Sequence, residues 1–274
     1  VEVLRGPQGT LFGKNVIGGA VSLVTRKPTE ETVMKFEGTV GSFDETTVRG
    51  FVSGEIAENV YGKVSFSSRR RDGYVDSRID EFPEFFPDTS VDDQHDINTD
   101  SIRAALRLTP SDRLEINLTA NYSTMDRAGP TYLAIGPGGV PFLQSTSLDP
   151  NYGDDIHENF VEDPGSSETD IVGFTARVDY ELTESITFTS LTSFRNVDSE
   201  QVWALTSLNL AELYMSNGIN SGGPVPLSIF GNNDYTDESD TFTQEFRLTG
   251  GNDKLFWIAG LYYCLLYTSD AADE

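Results

Sequence analysis

Residues 170–182 read DIVGFTARVDYEL, and apolar and polar side chains alternate along the whole stretch. Successive side chains of a β-strand point to opposite faces, so a period of two predicts a strand with one apolar and one polar face. RLEINLTANYS at 113–123 alternates in the same way. The residues on the predicted apolar faces are Leu114, Ile116, Leu118, Ala120 and Tyr122 in one stretch, and Val172, Phe174, Ala176, Val178, Tyr180 and Leu182 in the other.

The same pattern recurs more loosely along the chain, so that we predict nine strands in all. The further segments are 33–42, 46–56, 60–71, 100–108, 186–196, 238–250 and 255–263. Short turns such as TPSD at 109–112 alternate with long connections such as 125–168. Short turns at one rim and long loops at the other are typical of outer-membrane barrels and uncommon in compact soluble domains. The predicted fold class is all-β. We expect a partial transmembrane antiparallel β-barrel with about nine strands. A soluble sandwich or propeller is the alternative, since its strands are two-faced as well.

Composition excludes several classes of function. The formal net charge of -25 argues against nucleic acid as a partner, because binding to phosphates needs clustered Lys and Arg. The single cysteine, Cys264, cannot form an internal disulfide, and no Cys/His cluster has the spacing of a zinc site. No P-loop, GxSxG or HExxH motif is present. We therefore predict a protein that is not an enzyme, with no catalytic residues, no cofactor and no metal site.

The amino-terminal stretch VEVLRGPQGTLFGKNVIGGAVSLVTRKP, residues 1–28, is rich in turn-forming residues. Glycine adopts positive φ and permits close backbone approach, and proline fixes its own φ, so the stretch predicts a compact hairpin. A phosphate-binding loop is the rival interpretation, but the GxxxxGK[ST] frame and a following amphipathic helix are missing. The predicted turn residues are Gly6, Pro7, Gly9, Gly13, Gly18 and Gly19.

This stretch resembles the end of the plug domain of TonB-dependent outer-membrane receptors, and TFTQEFRLTG at 241–250 is similar to a recurrent barrel-strand motif of that family. The resemblance implies three parts. Residues 1–32 would be the carboxyl-terminal end of a plug domain, and 33–263 the first strands of the barrel. Residues 264–274, CLLYTSDAADE, resemble translated sequencing-adapter read-through and are expected to be a doubtful tail, with a native loop as the alternative. The chain would then be a fragment whose signal peptide, energy-coupling box and remaining plug lie upstream.

The family resemblance also implies a function. It predicts energy-coupled uptake of a scarce nutrient across the outer membrane of a Gram-negative bacterium, with ferric siderophore as the first choice of ligand. Cobalamin, other metals and glycans stay open. The implied partners are outer-membrane lipid and the inner-membrane complex acting through TonB, with the receptor a monomer. A passive porin-like channel, or a soluble or surface β-protein such as an adhesin, is the alternative.

Residue-level predictions concern the plug and the loops. In the resembling family, plug arginines pair with glutamates of the inner barrel wall, which implies a pair between Arg5 and Glu245. Aromatic loop residues offer contact area for an amphipathic ligand, with packing among the loops as the alternative. Acidic loops that contain His95 and His157 suggest cation binding, or simply a solvated rim. The aromatic candidates are Phe82, Phe85, Phe86, Tyr132, Tyr152 and Phe160.

Overall fold

The computed structural model describes residues 1–7, 17–77, 94–129, 157–159, 165–203 and 233–270. In these residues every regular element is a β-strand. The strands are β1 Glu2–Arg5, β2 Gly19–Ser22, β3 Val33–Val40, β4 Thr46–Ala57, β5 Val60–Arg71, β6 Asp76–Ser77, β7 Ile97–Ser111, β8 Leu114–Ala128, β9 Glu158–Asn159, β10 Ser166–Thr183, β11 Ile186–Trp203, β12 Asn233–Asn252 and β13 Leu255–Asp270. Across the described ranges no helix is long and apolar enough to cross a membrane.

Nine of these strands form one antiparallel sheet. The order is β13-β12-β11-β10-β8-β7-β5-β4-β3, so each strand pairs with its neighbours in sequence within the sheet. The other strands make two small ladders, an antiparallel β1-β2 hairpin and a parallel β6-β9 pair. The sheet therefore has the up-and-down topology predicted from the alternating segments.

The nine predicted strands are confirmed, and the bounds 60–71 match β5, but several of the other strands extend beyond their predicted ends. The strand predicted at 170–182 covers Ser166–Thr183, and that predicted at 186–196 extends to Trp203. The added residues at the long-loop ends are largely polar and continue the backbone ladder, for example Glu168 opposite Glu200. Beyond the lipid a strand needs hydrogen-bond partners but no apolar face, so the period of two is lost before the strand ends.

The sheet has two chemically distinct faces and almost no core. Among the described residues Val75 is the single buried hydrophobic side chain, whereas Val172 and Phe174 are each 44% exposed. We call the side that bears Lys63, Arg103, Glu115, Arg177 and Arg247 the polar face, and the opposite side the apolar face. A soluble sandwich would bury its apolar face against a second sheet. The described residues contain no such layer, and the exposed apolar face agrees with strands that face lipid.

The last strand extends into the segment predicted to be a doubtful tail. β13 pairs with β12 as far as Asp270, with Cys264 opposite Thr243. Residues 271–274 lie outside the described part of the chain. The structure therefore shows no break at residue 264, where the doubtful tail was predicted to begin. That residues 264–274 come from sequencing-adapter read-through stays a prediction.

Candidate functional site

The amino-terminal stretch forms the predicted hairpin. Arg5 lies opposite Gly19, and the amide of Gly6 donates to the carbonyl oxygen of Gly18 at 3.2 Å. Gly6 has φ of 80° and Gly19 has φ of 141°, both in the region that favours glycine. The turn residues Gly9 and Gly13 lie outside the described residues. The β1-β2 ladder thus confirms the hairpin.

The segment after the hairpin, residues 26–30, lies on the polar face of the sheet. The amide of Thr29 donates to Ser53 Oγ at 3.0 Å, and the amide of Glu55 donates to the carbonyl oxygen of Glu30 at 3.2 Å. Ser53 is only 3% exposed as a result. We call residues 26–30 the linker. Its contacts hold the connection between the hairpin and β3 against the wall of the sheet.

Glu115, at the start of β8, is the centre of the most connected ionic cluster. Lys27 of the linker donates to Glu115 Oε1, across 88 positions of sequence. Arg107 Nη2 lies 2.8 Å from Glu115 Oε2, and Asn117 Nδ2 donates to Oε1 at 2.8 Å. The guanidinium of Arg107 also lies 5.5 Å from the ring centroid of Tyr61. Oε1 therefore accepts from two neighbours and Oε2 from Arg107, and one of these donors belongs to the linker.

The ionic cluster continues along the polar face near the short turns. Arg177 binds Asp179 through two bonds, Nε to Oδ2 at 2.7 Å and Nη2 to Oδ1 at 3.0 Å. Thr189 Oγ1 donates to the same Asp179 at 2.8 Å, and Thr189 is only 6% exposed. A cavity of about 630 Å³ opens beside Lys27 and Glu115 at this rim. The rim of the sheet nearest the short turns is thus lined by mutually neutralised charges.

Glu245 lies on the polar face, as the sequence predicts. Arg247 Nε is 3.1 Å from Glu245 Oε1, although without the geometry of a hydrogen bond. In the described part of the chain this contact involves one carboxylate oxygen only. The pair between Arg5 and Glu245 is not tested by these contacts and stays a prediction.

At the opposite rim the two histidines, predicted as isolated loop residues, lie beside one aromatic ring. The ring of His95 stacks on Tyr74 with centroids 5.2 Å apart, and His157 meets the same ring edge-on at 6.0 Å. Arg71 lies over Tyr74 at 5.1 Å, and Phe43 is 5.9 Å away. We call this group the Tyr74 junction. Nothing in the local sequence around His95 or His157 predicts it.

Backbone contacts hold the Tyr74 junction together. The amide of Tyr74 donates to the carbonyl oxygen of Gln94 at 3.0 Å. The amide of Asp76 donates to the carbonyl oxygen of His157 at 2.8 Å. Gln94 is fully buried beside Val75. Within the described ranges no group of three or more His, Cys, Asp or Glu could hold a metal ion. The histidines therefore contribute to loop packing.

The aromatic residues predicted to contact ligand cannot be placed. All six, Phe82, Phe85, Phe86, Tyr132, Tyr152 and Phe160, lie outside the described residues. Residues that the sequence did not single out are Lys27, Arg103, Glu115 and Tyr74. The face of the sheet on which Arg103 and Glu115 lie follows from alternation, whereas Lys27 and Tyr74 lie outside the strands. The partners of all four depend on strand register and on loop paths that alternation does not encode.

Comparison with known proteins gives matches to outer-membrane receptors. No family model matches the chain. The pesticin receptor of Yersinia pestis is 34% identical over 114 residues, which are 41% of this chain and 16% of that receptor. The vitamin B12 transporter BtuB of Photobacterium profundum is 28% identical over 74 residues, 27% of this chain and 12% of the transporter. The chain spans only a small part of the length of the curated relatives that it matches.

Solved structures extend the likeness over nearly the whole chain. The ferric yersiniabactin uptake receptor FyuA of Yersinia pestis has a TM-score of 0.68 at 20% identity, covering 97% of this chain and 35% of FyuA. At this identity the likeness concerns the fold. These relatives are receptors or transporters rather than enzymes, and they are proteins of the Gram-negative outer membrane. The matched sequence segments and the fold are therefore similar to those of TonB-dependent outer-membrane receptors, the family that the amino-terminal stretch resembles.

Proposed function

We propose that the chain is part of a receptor that imports a scarce nutrient across the outer membrane by energy coupling, and that residues 1–32 belong to its plug domain. The observation that carries the proposal is the attachment of the linker to the polar face through Lys27 and Glu115. A passive porin-like channel has no need of an amino-terminal segment bound inside its wall. A soluble adhesin has no need of a sheet that leaves Phe174 exposed on an apolar face.

Ferric siderophore is the proposed substrate class. The FyuA structure is named for uptake of ferric yersiniabactin, whereas BtuB is named for vitamin B12, so the family alone leaves the choice open. The coverage of 35% of FyuA by a nine-stranded sheet supports the proposal that the chain is one part of a longer receptor. The further proposed partners are outer-membrane lipid and the TonB complex, with the receptor acting as a monomer.

Uptake of iron tests the import function directly. The full-length receptor, expressed in a Gram-negative host that lacks its own ferric receptors, is expected to restore uptake of radioactive iron supplied with a panel of siderophores. Uptake should vanish when TonB is deleted, because release of ligand requires a state that differs in affinity from the resting one. Uptake that persists without TonB would identify a passive channel instead.

The proposed Arg5–Glu245 pair is tested by exchanging charges. Each of Arg5→Glu and Glu245→Arg is expected to reduce iron uptake several-fold, because a partly enclosed carboxylate or guanidinium loses its partner. The double exchange should restore most of the uptake. Since Arg247 already contacts Glu245, Arg247→Gln serves as the control that separates loss of this neighbour from loss of Arg5. A double variant no better than the single ones would reject the pair.

A further inference from the structure

The hairpin and the linker differ in how much of each is enclosed. Val3 and Val21, which lie opposite each other in the β1-β2 ladder, are each 65% exposed in the described part of the chain. Pro28 of the linker is buried, and Ser53, the residue of β4 that binds the linker, is 3% exposed. The linker is therefore packed against the wall of the sheet more closely than the hairpin that precedes it.

Bonds to two separate strands hold the linker. Thr29 contacts Ser53 of β4 twice, through an amide that donates to the Ser53 hydroxyl at 3.0 Å and through two hydroxyl oxygens that lie 3.2 Å apart. Lys27 pairs with Glu115 at the start of β8. In the sheet β4 and β8 are separated by β5 and β7. A load on the linker is therefore shared by contacts with different parts of the wall, and both sets must break before the linker detaches.

The hairpin is connected in the opposite way. Its ladder pairs Glu2 with Ser22 at one end and Arg5 with Gly19 at the other. The chain enters at Glu2 and leaves at Ser22, so a pull on the entering chain against a fixed linker acts at the open end of the ladder. The hydrogen bonds of the ladder then carry the load one pair after another and break in turn. Segments of this kind open locally at a lower free energy than segments held by several cooperating contacts.

We propose that the linker is a fixed anchor, which stays bound to β4 and β8 while the segment before it is displaced during import. This inference rests on the proposed import function and adds the contacts that limit the displacement. Ser53 and Glu115 are the positioning residues of the anchor, because each binds a residue of the linker from the wall. A plug held at its carboxyl-terminal end opens a path without leaving the barrel and returns to the same place afterwards.

A disulfide lock tests whether the linker moves. Thr29→Cys and Ser53→Cys place two sulfur atoms where the hydroxyl oxygens lie 3.2 Å apart, so that a small shift forms the bond. The pair is made in the full-length receptor with Cys264→Ser, which removes the cysteine already present in this chain. Uptake of radioactive iron is measured in cells that contain TonB, after oxidation and again after reduction, and mass spectrometry of tryptic peptides reports how much of the lock has formed. We expect no loss of uptake in the oxidised receptor.

Thr175→Cys with Ser193→Cys is the matched control for the lock. These residues also lie opposite each other on the polar face, with hydroxyl oxygens 3.5 Å apart, but they join two strands of the wall. Unchanged uptake in the oxidised control shows that neither the oxidant nor a disulfide on this face harms the receptor. Loss of uptake on oxidation of the linker pair alone, reversed by reduction, would overturn the anchor and leave the import function standing. A wild-type receptor without TonB-dependent uptake would instead reject the import function and the anchor with it.

Removal of the anchor should let the displacement go too far. Lys27→Ala with Ser53→Ala is expected to make cells several-fold more sensitive to vancomycin, an antibiotic too large for porins, and only when TonB is present. Lys35→Ala with Thr169→Ala is the control, since it removes a lysine and a hydroxyl whose bonds lie within the wall. The variants are compared at equal amounts of folded receptor, judged by mobility on unheated gels. Unchanged sensitivity would overturn the anchor, and so would equal sensitivity in cells without TonB, because that result shows a leak in the resting state.

Discussion

Ala176→Arg is expected to destabilise the folded receptor in lipid by about 2–4 kcal/mol, the measured range for arginine at the lipid-facing midplane of a barrel. Ala176 lies at the centre of the apolar run from Val172 to Tyr180, opposite Leu118 of β8. Its side chain would place a guanidinium in hydrocarbon, where neither water nor a carboxylate is available. Unfolding by guanidinium chloride in phospholipid vesicles, followed by fluorescence, measures the effect.

Two variants make the test specific to lipid exposure. Ala176→Leu adds a large apolar side chain at the same position and should be neutral or stabilising. Thr175→Arg places the same charge one residue away on the polar face, and should cost less than about 1 kcal/mol because this side of the sheet is not in hydrocarbon. If Ala176→Arg were as stable as Thr175→Arg, the apolar face would not contact lipid.

Glu115→Ala is expected to lower the free energy of unfolding by about 1.5–3 kcal/mol, the range for hydrogen bonds to a charged group. The change leaves Lys27, Arg107 and Asn117 without their common acceptor. The carboxylate is largely shielded from water, with 23% of its side chain exposed, so solvent replaces these bonds only in part. The linker should also loosen, which trypsin cleavage after Arg26 reports.

Controls separate the linker contact from the rest of the Glu115 cluster. Lys27→Ala should produce the increase in cleavage with a smaller loss of stability, and the double variant should be less destabilised than the sum of the two changes, because the residues share one contact. Glu37→Ala removes a more exposed carboxylate that also pairs with two cations, and should cost less than about 1 kcal/mol. Additive effects of Lys27 and Glu115 would show that the linker is held by other contacts.

The sheet could be predicted from sequence because lipid imposes a period of two on segments such as 170–182. The strand ends could not, since Ser166 to Thr169 continue the ladder where no apolar face is required. Whether the apolar face is covered by a second layer could not be read from alternation, which a sandwich shares. It became clear only from the exposure of side chains such as Phe174.

The candidate site was predictable in part. The amino-terminal hairpin was predicted and its β1-β2 ladder is present, and alternation places Glu245 on the polar face. The contact between Lys27 and Glu115 was not predictable, because it joins a segment without regular structure to a strand 88 residues away. The neighbours of Arg103, which lies opposite Ser65 and Asn121, also depend on strand register, because a shift by one residue would have moved each side chain to the other face.

The Tyr74 junction has a mechanical consequence. It is a small packed cluster at one rim of the sheet, built from parts of two different connections. Its members include the buried pair Val75 and Gln94 and the rings of His95 and His157. The two connections therefore form one joined surface, whose shape depends on residues far apart in the gene, so that a change in either connection alters the surface that both present.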